Sequence, residues 1–294
     1  MSLFSTIKFI TTHPMNKYNK TAAVLRFIKW QLNSVMNPYP IIYQFTEKSK
    51  LIIKKGMTGA SGNLYCGLFD YQEMFFLLHF LRRGDFFADI GANIGSYTIL
   101  ASAQIEANTI SIEPMPSTYL NLLDNISVNR LQNVKPLNIA LGSKKGKIDF
   151  TKTAFDTTNH IAVKGDKDVI TVDINTLDDI LATGEDIPLL LKIDVEGYET
   201  EVLNGALETL KNENLKAIII ELNGSGERYG YDEALIHKEL TDKGFLPYTY
   251  NPLERALTLV ESFGSYNTIY IRNLEFVNER LKFGEKIQIR KNKI

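Results

Sequence analysis

From Gly84 onward, short apolar runs alternate with segments of helical spacing, and this rhythm restricts the fold more than any other feature. "FFADI" reads as a strand and residues 94–104 as a helix; "NTISIE" reads as a strand and residues 116–129 as a helix; "NVKPLNIAL" is a third strand. The rhythm resumes with "PLLLKID", the helix "ETEVLNGALETL", the strand "AIIIEL" and the helix "EALIHKELTDK". Strands separated by helices of about 10–15 residues join through right-handed crossovers, so they lie parallel. Between the two halves, "GKIDFTK" and "DVITVDI" alternate with period two, which predicts a hairpin or an edge insertion. "FLPYTY" and "SYNTIYI" follow one another without a helix, which predicts an antiparallel pair closing a mostly parallel, doubly wound α/β sheet.

Residues 1–50 differ from the rest. "TTHPMNKYNK" is polar and basic, and "TAAVLRFIKWQLNSVM" reads as an amphipathic helix stopped by "NPYP". Val24, Leu25, Ile28, Leu32, Val35 and Met36 recur at helical spacing, with Phe27 and Trp30 off that stripe. The stripe is expected to pack on the body of the chain or on a second subunit of a homo-oligomer. The alternative is peripheral contact with a membrane face.

The totals exclude several classes. A net charge of -1 argues against a nucleic-acid binder held by bulk charge. The single Cys66 rules out an intramolecular disulfide and a zinc cluster built on cysteines. No stretch reaches the ~20 apolar residues needed to span a bilayer. Lys8 interrupts "MSLFSTIKFI", which therefore makes a poor signal peptide. The chain reads as soluble and cytoplasmic.

A ligand of a doubly wound sheet sits beyond the carboxyl ends of its strands, where the strand order reverses. "GANIG" occupies that position after the first strand. Gly91 permits a tight turn, Gly95 lets the next helix pack close, and a helix beginning near Asn93 offers unpaired N–H groups. The dinucleotide fingerprint is G-x-G-x-x-G, whereas this chain has G-x-x-x-G with Asp89 two residues before it. A pyrophosphate is a poor match for that carboxylate; an ammonium or sulfonium centre tolerates it. Glu113 ends the second strand, where an acid can accept hydrogen bonds from both hydroxyls of a ribose. A ligand with a ribose and no pyrophosphate fits this set, and S-adenosylmethionine is one.

"DIGANIGSYT", "IEPMPSTYLNLLDNISVN", "TLDDI" and "LLKIDVEGYETEVLNGA" resemble the FkbM-type S-adenosylmethionine-dependent methyltransferases, over about residues 65–273. The resemblance implies the seven-stranded, Rossmann-like methyltransferase fold with an antiparallel final strand in residues 51–294, and residues 1–50 as an added helical arm. It also implies O-methylation of a hydroxyl on a sugar, polyketide or other natural product, that is, a small-molecule or glycan acceptor. Asp89, Gly91, Asn93, Gly95 and Glu113 would then hold the cofactor. The rival readings are an NAD(P)-dependent oxidoreductase and a non-catalytic cofactor-binding protein.

An alcohol acceptor must lose a proton, so a base should stand nearby. Asp194 ends the strand "LLLKID" beside the first strand, with Lys192 on the same face, and Glu196 follows at the turn. Glu196 reads equally well as a site residue and as a helix cap. His160, next to Thr157, Thr158 and Asn159 in the insertion, is a second candidate, because histidine titrates near neutrality. Asn223 and Arg228 in "ELNGSGERYG" read as a rim, and Tyr229, Tyr231, Tyr248 and Tyr250 as rings on which a sugar can stack. Asp173, Asp178, Asp179, Asp194 and Glu196 offer carboxylates for Mg²⁺, but "TLDDIL" reads as a helix start, and no metal is expected.

Overall fold

The computed structural model describes residues 3–152, 159–163, 165–182 and 186–294. Helices α1 (Leu3–Thr12) and α2 (Lys20–Met36) open the chain. The Asn19 side chain caps α2, accepting from the Ala22 N–H at 3.1 Å. The expected helix therefore forms, but it presents its other face to the body. Ala23, Phe27 and Trp30 are buried, whereas Leu25, Ile28, Leu32, Val35 and Met36 are exposed. The receiving surface fits the aromatic face: Phe27 meets Tyr65 edge-on with centroids 5.2 Å apart.

Strands β1 (Ile41–Gln44) and β2 (Lys50–Ile53) pair as a hairpin. A division at 50/51 falls inside β2. Asn129 and Asn125 accept from the Lys50 and Ile52 N–H groups at 2.8 and 2.7 Å, fastening that hairpin to a helix of the main sheet. Helix α3 (Thr58–Cys66) and helix α4 (Tyr71–Phe80) follow, and α4 is buried from Met74 to Phe80.

The sheet then begins with β3 (Phe86–Ile90), α5 (Ser96–Ile99, continued by a π-turn), β4 (Asn108–Ile112), α6 (Pro116–Val128) and β5 (Val134–Leu137). A separate three-stranded sheet interrupts it: β6 (Ala140–Leu141), β7 (Gly146–Thr151) and β8 (Val169–Asn175), with β7 antiparallel to β8 as the alternation predicts. Next come α7 (Leu177–Leu181), β9 (Leu190–Ile193), α8 (Glu199–Asn204) and α9 (Leu207–Lys211). The single helix expected over α8 and α9 is broken at Gly205. A Cβ there would stand 2.0 Å from the Gly142 carbonyl oxygen, so the loop after β6 occupies the groove.

The chain continues through β10 (Ala217–Glu221), α10 (Glu233–Asp242), β11 (Leu246–Asn251), β12 (Ala256–Leu259), β13 (Asn267–Ile271) and α11 (Leu274–Lys282). The main sheet has eight strands in the order β12-β11-β13-β10-β9-β3-β4-β5. Strands β5, β4, β3, β9 and β10 run parallel, and β13 inserts antiparallel between β10 and β11. Seven of the eight are the expected ones; β12 adds an edge by turning back on β11. From β3 the chain moves outward through β4 and β5, then returns to β9 on the opposite side. The order therefore reverses between β3 and β9, and Gly91 and Asp194 leave the sheet side by side at that point.

Candidate active site

The turn after β3 is shaped by its neighbours. Gly91 has φ +73°, and a Cβ on it would stand 1.8 Å from the Asp194 carbonyl oxygen. Glycine is required there because the exit of β9 passes against it. Gly95, at φ +89°, would drive a Cβ to 2.5 Å from Leu122, so the helix whose close approach requires glycine here is α6 and not the expected one that follows Gly95. Asn93 adopts φ +50°, an uncommon conformation for a residue with a side chain, and its N–H points at Glu113. Asp89 lies beneath the turn: Oδ2 accepts from the Thr98 N–H at 3.0 Å and from its hydroxyl at 2.6 Å. The carboxylate thus ties down α5. It does not line either cavity of the cleft, and its Oδ1 has no hydrogen-bond partner among the described residues.

Glu113 follows β4, with Oε2 accepting from Asn93 N–H and Oε1 from Met115 N–H, both at 2.9 Å. Burial pushes its carboxyl up to about 7, against the pull of those two N–H donors. It faces a cavity of about 110 Å³ whose far wall is apolar: Ile139, Leu141, Phe150 and Ile161. Each of its oxygens has a lone pair left for a further donor.

The "KIDVEGYE" loop forms the opposite wall. Lys192 is buried against Tyr97, its Nζ 4.9 Å from the ring centroid and 2.9 Å from Asp194 Oδ2. Burial works to discharge that ammonium, but the Asp194 and Asp89 carboxylates outweigh it and hold the proton on. Glu199 accepts from the Val195 and Gly197 N–H groups at 3.1 and 3.2 Å, so it is the carboxylate that fixes the loop. Glu196 is left free of that task. It sits at φ +56° and lines the cleft, and burial followed by Asp194 and Glu199 raises it to about 7.

A second cavity, of about 270 Å³, shares Gly91, Asn93, Asp194 and Glu196 with the first, so the two form one cleft. Its walls bring in Asp70, Tyr97, Glu221 and Asn267, none of which stands out in the sequence. Asp70 stands at the N-cap position of α4 with its side chain turned to the cleft, where it accepts from the Tyr97 hydroxyl at 3.0 Å. Glu221 ends β10 opposite Asn267 on β13. Burial, then Asp194 and Glu196, lift the Glu221 carboxyl well above its ordinary range, so it holds a proton beside Asp194. Among the described residues, Asp194, Glu196 and Glu221 bring carboxylate oxygens within 4.8 Å of one another. The strand-end positions were the available signal for Glu221, by the same logic that singles out Glu113.

His160 is at the edge of the cleft: Asn159 and Ile161 on either side line the first cavity, while its Nε2 stands 3.8 Å from Asp166. Thr157 and Thr158 lie outside the described residues. Arg228 donates to the Glu196 carbonyl at 3.2 Å, joining the "ELNGSGERYG" loop to the "DVEG" turn. Tyr229 and Tyr231 cluster with Tyr198 at centroid distances of 5.5 and 6.3 Å. Tyr248 and Tyr250 are buried in the core, Tyr250 bonded to His79, so the sugar-stacking expectation does not extend to them. The helix α7 expected at "TLDDIL" forms with Thr176 as its cap, but Asp178 reaches across to the start of α9, accepting from Glu208 and Thr209 N–H at 2.8 and 2.9 Å.

The family model described as the methyltransferase FkbM domain matches residues 89–247, from the β3 turn through β10 and into β11. The chain belongs to the FkbM methyltransferase family. It is 32% identical over 150 residues to the hexuronic acid methyltransferase AglP of Haloferax volcanii, covering 50% of this chain and 59% of AglP. It is 26% identical over 183 residues to Methyltransferase 1 of Beauveria bassiana, covering 54% and 72% of the two chains. Among solved structures it is similar to precorrin-6y C5,15-methyltransferase of Geobacter metallireducens GS-15, with a TM-score of 0.43 and 14% identity over 79% of this chain and 98% of that one. The family match contains both the β3 turn and the "KIDVEGYE" loop. Asp70 and Asn267 stand outside it.

Proposed function

We propose that this chain is an S-adenosylmethionine-dependent O-methyltransferase whose acceptor is a hydroxyl of a small molecule or glycan. One observation carries the reading: a single cleft runs from an apolar end, past Glu113, to a carboxylate end at Asp194. An adenine suits the apolar end, the free lone pairs of Glu113 suit ribose hydroxyls, and Asp70 and Asp194 suit an ammonium group. When bound, this cofactor supplies a methyl group on a positively charged sulfur, and the leaving group is neutral. Positioning the acceptor oxygen in line is then a large part of the catalysis.

Lys192 holds Asp194 at the junction of the two cavities. The acceptor proton passes either to Asp194 or, after one rotation of the imidazole away from Asp166, to His160. Loss of the alkaline-rising limb of the rate in His160→Ala assigns the proton to His160; its retention removes His160 as the base and leaves positioning as the mechanism. This reading uses no metal, because Lys192 already holds Asp194 in place, and EDTA should leave the rate unchanged.

The relative's name supports a sugar acceptor. Asp70, Asp194 and Glu196 would nonetheless repel a uronate carboxylate from the wider cavity, so the expected acceptor is a neutral sugar. Transfer of labelled methyl to neutral glycans, with weaker transfer to hexuronic acid glycans, is the expected result. Labelled transfer to neither, from a chain that binds S-adenosylhomocysteine, would reduce it to a cofactor-binding protein.

A further inference from the structure

Helix α2 carries two apolar faces and the body of the protein covers one. On the uncovered face, Leu25, Ile28, Leu32, Val35 and Met36 are 45–82% exposed. At 100° per residue these five fall within an arc of about 100°, a continuous stripe along the helix. Single exposed aliphatics are ordinary, but a stripe of this kind marks a surface that meets something apolar. Leu3 and Phe4 of α1 are exposed in the same segment.

The charge of the segment says what that partner is. Residues 1–46 hold five of the chain's 33 Lys and Arg and none of its 34 Asp and Glu. Lys8, Lys17, Lys20 and Lys29 are exposed. A cavity of about 320 Å³ lies beside the stripe, lined by Arg26, Lys29, Trp30, Asn33, Ile41 and Leu64. In it, the exposed Lys29 meets an indole and aliphatic walls, while Arg26 is held inward, donating to Asn16 Oδ1 and the Tyr65 carbonyl at 2.7 and 2.9 Å. An isologous pairing through the stripe would set one acid-free basic segment against another. A phospholipid surface supplies acyl chains for the stripe and anionic headgroups for the lysines.

We propose that α1 and α2 dock this protein on an anionic phospholipid bilayer, with the Leu25–Met36 stripe in the acyl boundary and Lys29, with the other exposed lysines of the segment, at the headgroups. This surface lies outside the cleft and does not depend on the reaction assigned to it.

The test is flotation of the full chain with vesicles of phosphatidylcholine alone or of phosphatidylcholine mixed with phosphatidylserine. Binding to the mixed vesicles, weak binding to the neutral ones and release by high salt are expected. L32E/V35E, at two exposed positions, should weaken binding at least ~tenfold while the melting curve is unchanged. Lys29→Ala should weaken it about fivefold. No flotation with the mixed vesicles, or equal flotation of L32E/V35E, overturns the proposal. So does a lipid-free dimer, by sedimentation, that L32E/V35E dissociates: the face would then belong to a second copy.

Discussion

Glu196 has an unusual backbone and a raised carboxyl, and each property has a consequence. Burial and the neighbouring Asp194 and Glu199 lift it from the ordinary 4.5 to about 7. Between those values the folded chain holds a proton that the unfolded chain has released, so this group's contribution to stability is lost as pH rises through the window. Glu196→Gln removes the titration and keeps the shape. The variant should melt with the parent near about pH 4.5 and at a higher temperature near about pH 8; equal melting at both would place the carboxyl in water. Gly91 yields a second residue-scale expectation. Even Gly91→Ala forces a Cβ to 1.8 Å from the Asp194 carbonyl oxygen, at a cost of about 1–3 kcal/mol for the displaced loop. Urea unfolding reads that loss directly. The glycine was legible in the sequence, but its reason was not, because the chain that presses on it comes from β9, about a hundred residues later.

Among the elements, the parallel strands and the β7–β8 hairpin were legible, since period-two and period-3.6 patterns are local. The orientation of α2 was not. Periodicity identifies a helix, but where two apolar stripes share it, only the shape of the receiving surface decides which turns inward. Here Tyr65 and its neighbours receive Phe27 and Trp30. Phe27→Ala should therefore destabilise the whole protein by about 3–5 kcal/mol, whereas Leu32→Ala at an exposed site should change stability by no more than about 0.5 kcal/mol. Comparable losses in chemical denaturation would return the helix to its other orientation. The broken α8–α9 helix has a similar lesson: its sequence reads as one helix, and the Gly142 carbonyl that packs against Gly205 comes from a loop no local pattern reveals.

Across the molecule, the cleft has two origins. Its β3, β4 and β9 ends lie inside the region shared with the FkbM methyltransferase family, and its Asp70 and Asn267 walls lie outside. The shared part was readable because strand-end acids and glycines have a stated chemistry; the outer part was not, because α4 and β13 reach the cleft only through the sheet topology. The cofactor reading depends most on Glu113, the carboxylate that faces the first cavity with a lone pair free on each oxygen. Isothermal titration of S-adenosylhomocysteine into the parent chain and Glu113→Ala tests this most directly. Charge-assisted hydrogen bonds of about 1.5–3 kcal/mol predict binding by the parent and at least ~tenfold weaker binding by the variant. No heat of binding in the folded parent, or equal affinity in the two, would contradict it.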